Sequence, residues 1–175
     1  ILSQATASWK ERIGSGELPW YAQEKLQYGA YASLLGVEFD LLNAEFTSIA
    51  IGDSNLFRVR GEQVLAFPIT NSIDFNNSPL LISTKSHIDS SFVENFKFDS
   101  GNVEAGDIFI LATDAISAWF LSESEANNSP WKTIINLTPP SQSGYSELDF
   151  KNWIKNLRDE KRLKNDDTTL IVISF

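Results

Sequence analysis

The run Ile108-Phe109-Ile110-Leu111-Ala112 is apolar at every position and closes on Thr113-Asp114. Alternate side chains of a strand point to opposite faces, so a run of this kind has no wet side. It must be a central strand, covered above and below. Its surroundings supply partners. Phe46 to Ile51, Leu56 to Arg60 and Val64 to Ile69 are short β-rich runs, separated by Gly52-Asp53-Ser54 and Gly61-Glu62-Gln63, and they predict an antiparallel meander. Phe96-Lys97-Phe98 reads as a further strand, ended by a turn at Asp99-Ser100-Gly101-Asn102, and Thr168 to Phe175 is a β-branched closing strand.

Helices are expected on either side of these strands. Glu17-Leu18-Pro19-Trp20 suits a first helical turn, and Leu18, Tyr21, Ala22, Leu26, Ala30, Ser33 and Leu34 continue at helical spacing to a stop at Gly36. Ala115 to Leu121 has the apolar content of a helix. Another starts near Ser146 with Leu148, Phe150, Trp153, Ile154 and Leu157 on one face, and its basic end, Arg158 to Lys164, reads as solvated. Thr70 to Ser91 and Asn127 to Gly144 read as surface loops and are the candidates for facing a substrate. Helices segregated from antiparallel strands define an α+β layered fold, with residues 1–175 as a single domain.

Composition narrows the chemistry. The formal charge of −9 argues against a nucleic-acid binder. It also conflicts with a phosphate-ester substrate unless cations stand between the two. The absence of cysteine removes disulfides, thiolate metal sites and thiol nucleophiles. No apolar run reaches membrane-spanning length and no signal peptide is visible, so a cytoplasmic location is the expectation. There is no methionine, and the chain opens in mid-pattern at Ile1-Leu2-Ser3, so the expectation is a sequence that lacks its front.

Three aspartates share one context. Asp53 and Asp114 each end an apolar strand, and Asp166 immediately precedes the last one. If the three strands are neighbours and the last is antiparallel to the others, the carboxylates converge at one end of a sheet. Clustered carboxylates repel, and a divalent cation relieves that repulsion. Hard oxygen donors, without cysteine and with a single histidine, favour Mg²⁺ or Mn²⁺. Taken singly, each aspartate also fits a turn or cap role, in which the side chain bonds nearby amides.

The residues around them resemble a known family. Gly52-Asp53-Ser54 after its strand, Glu104-Ala105-Gly106-Asp107 leading into Ile108 to Asp114, and Asn165-Asp166-Asp167-Thr168-Thr169 before the last strand resemble, in order, motifs of the PP2C (PPM) protein phosphatases. The likeness covers roughly Phe46 to Phe175. It implies a layered α-β-β-α sandwich of mainly antiparallel sheets flanked by helices. It also implies two or more Mn²⁺ or Mg²⁺ ions, and a metal-bridging water that attacks phosphoserine or phosphothreonine on a phosphoprotein. Asp114 and Asp166 would be metal ligands, and Asp53 would help hold a weaker ion. Asp167 stands where the family has Asn, and Ala115 where it has Gly. The family's Asp-Gly-x-Gly motif and its phosphate-gripping arginine do not occur in these 175 residues. The alternative function is therefore a catalytically inactive PP2C-like binding or regulatory module; a third reading is an α+β domain unrelated to phosphatases. His87 reads as a solvated loop residue, and Arg58 and Arg60 as the exposed face of a hairpin.

Overall fold

The computed structural model describes residues 2–14, 19–26, 28–75, 78–85, 90–137 and 147–175. The chain opens with helices α1 (Leu2–Gly14) and α2 (Trp20–Leu26) and a short strand β1 (Tyr31–Ala32). Strands β2 (Leu34–Asp40), β3 (Glu45–Ile51), β4 (Asn55–Arg60) and β5 (Gln63–Phe67) follow, with β2 paired antiparallel to β3 and β4 to β5. Strand β6 (Ile82–Ser83), the single turn α3 (Ser90–Val93), β7 (Lys97–Asn102) and β8 (Ile108–Ala112) come next. The chain ends with α4 (Asp114–Glu125), α5 (Pro130–Leu137), α6 (Glu147–Asp159) and β9 (Leu170–Ser174).

The long strands divide between two sheets, ordered β2-β3-β7 and β5-β4-β8-β9, while β1 pairs with β6. The series β2 to β5 changes sheet between β3 and β4. Period-two alternation then divides the apolar residues of β4 and β8 between two cores. Phe57, Val59, Ile110 and Ala112 face α4, α5 and α6, where they meet Ile116, Phe120, Ile134, Ile154 and Leu157. Leu56 and Phe109 face the other way and pack with Phe46, Leu35, Val37 and Phe39 of the first sheet. Phe109 is enclosed by three rings, Phe39, Phe46 and Phe175, with centroids at 4.9, 5.0 and 5.7 Å. On the helix side Phe57 stacks on Phe120 at 4.0 Å. Each fully buried ring of this kind contributes about 2–3 kcal/mol by burial alone. The expected two-faced central strand and the α+β architecture of antiparallel sheets and helices are what the chain adopts.

Four local expectations are corrected. The helix predicted to run to Gly36 stops at Leu26, and residues 34–40 form β2 instead. Gly36 lies opposite Ile49 in the ladder, where an added Cβ would stand 3.3 Å from the Ile49 side chain, so this glycine admits a close neighbour and caps no helix. Asp99 to Asn102 continue β7, because pairing with Glu45 to Ser48 overrides their turn propensity. The expected loop after Asn127 contains α5, in which Pro130 sits at the first helical position and Trp131 and Ile134 are buried. Arg60 does not face solvent freely. It grips fully buried Asp107 through two bonds of 2.7 and 2.6 Å and also contacts Glu104. The expected positions of Glu17, Leu18, His87, Pro139, Pro140 and Ser141 to Gly144 lie outside the described residues.

Candidate metal centre

Asp53 owes its place to the change of sheet. Strand β3 ends at Ile51, and after three intervening residues the chain enters β4 in the other sheet. That short crossing needs Gly52 at φ +103°, where an added Cβ would lie 2.6 Å from Cβ of Ser33. The hydroxyls of Ser33 and Ser54 lie 2.9 Å apart and hold the turn to the segment before β2. Asn55 anchors its far side. This fully buried amide donates to the carbonyl of Ile69 at 2.6 Å and accepts from the Ile69 amide at 3.1 Å.

Asn55 lies directly across the ladder from Ala112, and Ala112 lies across from Leu170. The start of β4, the end of β8 and the start of β9 therefore meet at one end of the four-stranded sheet. Thr113 ties two of them together. Its amide donates to the carbonyl of Thr169 at 3.2 Å, and its hydroxyl donates to the carbonyl of Asp167 at 3.2 Å while accepting from the Thr169 amide at 3.0 Å. Asp114 is then the first residue of α4, where the helix dipole favours a negative charge. Asp166 precedes β9, with its backbone carbonyl bonded to the Arg158 guanidinium and one carboxylate oxygen accepting from the Asp167 amide at 2.9 Å.

One cation stands between the two carboxylates. The Lys164 ammonium lies 3.1 Å from Oδ2 of Asp166 and 3.3 Å from Oδ2 of Asp114. The Asp167 amide, and then Lys164, hold the Asp166 carboxyl below the usual carboxylate range. The same bonds, to Asp166 first and Asp114 second, push the Lys164 ammonium up. Asp53 is pushed the other way, above the ordinary carboxylate value, by burial first and by the negative charge of Asp114 second. Asp53, Asp114 and Asp166 are thus brought within electrostatic reach of one another. Asp53 arrives from the other sheet, however, and not from a neighbouring strand as the sequence suggested.

The donor set is made of carboxylates. Its oxygens are hard, and Asp114 and Asp166 already share a positive charge. Among the described residues, no three Asp, Glu, His or Cys side chains are spaced as a ready metal cage, and the Lys164 ammonium pairs with both Asp114 and Asp166. Lys164 was missed in the sequence, where it belongs to a basic run read as solvated. Its signal was its position two residues before Asp166. Arg58 is directed elsewhere: it lies over the Phe46 ring at 5.5 Å and donates to the carbonyl of Asn102 at 3.2 Å.

No family model matches the chain, and no curated protein matches it by sequence. Solved structures do match. The photosystem II phosphatase PBCP shares 15% identity over 99% of this chain and 77% of its own, with a TM-score of 0.54. The catalytic domain of the serine/threonine protein phosphatase PstP, in complex with two manganese ions, shares 11% identity over 98% of this chain and 79% of its own, with a TM-score of 0.52. The phosphatase domain of SpoIIE from Bacillus subtilis aligns over 97% of this chain and 72% of its own at 17% identity, with a TM-score of 0.44. The chain has the PP2C-like phosphatase fold. At these identities the likeness is one of fold.

Proposed function

We propose that this protein is a metal-dependent phosphomonoesterase of PP2C type that acts on phosphoserine or phosphothreonine in proteins. One observation carries the reading: Asp114 and Asp166 share the Lys164 ammonium at one end of the sheet, and Asp53, from a third segment, feels the charge of Asp114. Asp114 and Asp166 would hold Mn²⁺ or Mg²⁺ in the place now taken by the Lys164 ammonium, and Asp53 would complete or extend the donor set. When bound, such ions polarise phosphate oxygens and lower the pKa of water. The chain's own part is to orient the carboxylates. Thr113 fixes the segment carrying Asp166 against the start of α4, and the Gly52 turn would set the position of Asp53. The likeness to a serine/threonine phosphatase that carries two manganese ions supports the same choice of cation.

The test is release of phosphate from p-nitrophenyl phosphate with and without Mn²⁺, compared with Asp114→Asn. The expected result is turnover that requires Mn²⁺ and falls by at least about a hundredfold in the variant. A second reading, a non-catalytic PP2C-like binding module, is favoured by Lys164, because an internal ammonium satisfies the aspartates without metal. Folded protein with no Mn²⁺-dependent turnover would leave that reading standing and remove the first.

A further inference from the structure

A cleft of about 540 Å³ lies between α6 and the segment that carries Asp166. Its walls are Lys151, Lys155 and Arg158 on the helix and Asn165 and Thr168 on the segment, over a floor formed by Phe150 and Ile154. Lys151, Lys155 and Arg158 follow one another at i, i+4 and i+7, which sets them on one helix face. Asp159 is the single acid among the lining residues, so the cleft carries an excess of two positive charges in a chain whose net charge is −9. Lys151 is partly engaged with Glu147 at 2.6 Å, whereas the Arg158 guanidinium spends one donor on the Asp166 carbonyl and keeps a solvent-shielded Nε–H that meets no acceptor.

We infer that this cleft docks an acidic stretch of the polypeptide substrate. The inference rests on the phosphatase reading for the word substrate, and on geometry for the site. A phosphoprotein brings negative charge toward a strongly acidic chain, and the residues lining this cleft carry a positive excess beside the candidate centre. Its wall is the segment that presents Asp166 to Lys164 and Asp114, so a polypeptide held there has its neighbouring residues at the centre. Charge complementarity of this kind acts on encounter and orientation, and it weakens with salt. The apolar floor adds contact for the carbon stems of Glu side chains.

The probes are hexaglutamate and hexalysine peptides and inorganic phosphate, each titrated into ¹⁵N-labelled protein without metal. Hexaglutamate is expected to shift amides of residues 150–158 and 165–168, with affinity falling as salt rises. Lys155→Glu, which leaves the Lys151–Glu147 pair intact, is expected to weaken it by about tenfold. Three results would overturn the inference: no shift at these residues, equal binding of hexalysine, or inorganic phosphate binding as tightly as the peptide, which would make the cleft a simple anion site. The binding test needs no turnover. Peptide binding without Mn²⁺-dependent hydrolysis sinks the phosphatase reading alone, and hydrolysis without peptide binding sinks the docking cleft alone.

Discussion

Lys164→Ala tests whether the ammonium and a metal ion compete for the same oxygens. The ammonium lies 3.1 and 3.3 Å from one oxygen each of Asp166 and Asp114, and about half of its side chain is exposed. Ion pairs open to water to this degree are each worth a factor of roughly two to five in an equilibrium constant. A metal entering between the aspartates breaks both pairs, and it must also displace a positive charge. Removing Lys164 therefore multiplies two such factors, and Mn²⁺ affinity is expected to rise about tenfold. Without metal the sign reverses: the variant leaves Asp53, Asp114 and Asp166 facing one another with no cation, so it should melt about 3 °C below wild type in EDTA. Isothermal titration with Mn²⁺ and thermal melts in EDTA and in saturating Mn²⁺ read the two halves separately. Lys164→Gln, which keeps length and loses charge, should behave alike. Unchanged or weaker Mn²⁺ binding in both variants would refute the reasoning, because Lys164 and the metal would then not share a site.

Two further outcomes concern the frame around the centre. Gly52→Ala places a Cβ within 2.6 Å of Ser33 at a backbone angle suited to glycine, and should cost about 2 kcal/mol or more in urea unfolding while weakening Mn²⁺ binding; wild-type stability would show that the turn is not constrained as described. Asp107→Asn removes a fully buried carboxylate that accepts two bonds from Arg60 and one from the Glu104 amide, and should cost about 3 kcal/mol at neutral pH. Arg60 holds the Asp107 carboxyl below its ordinary value of 3.8 in the folded state. Its contribution is therefore present above that value and lost as pH falls through the lower folded one. Urea midpoints measured from neutral pH into that acid range should fall more steeply for wild type than for Asp107→Asn, and parallel curves would remove Asp107 from the account.

What was legible in the sequence was what depends on local pattern. The apolar run at Ile108 to Ala112 and the series from Phe46 to Ile69 carry strand signals strong enough to survive any context, and α6 shows its buried face at Ile154 and Leu157. Elements decided by distant partners were misread. Leu34 continues a helical spacing, yet β2 forms because β3 pairs with it along its whole length. Asp99 to Asn102 look like a turn until β3 lies beside them. The aspartates were found because each adjoins an apolar strand. Lys164 and the Arg60–Asp107 pair were not, since an ion pair across the fold leaves no period in the chain. The helix α5 could have been found, from a proline at its first position followed by Trp131 and Ile134 three apart.

The passage of the chain from one sheet to the other at Gly52 to Ser54 has a consequence for how sequences of this fold can drift. The turns at Leu41 to Ala44 and at Gly61-Glu62 lie at the opposite ends of β3 and β4, where extra residues only lengthen a surface hairpin. An insertion between Ile51 and Asn55 is different in kind. One added residue spans about 3.3 Å, comparable to the separation of Lys164 from its two carboxylate partners, and would carry Asp53 out of reach of the others without disturbing either ladder. This three-residue crossing works as a gauge between the sheets. Its length, more than the identity of most residues in the core, is what such a protein has least freedom to change.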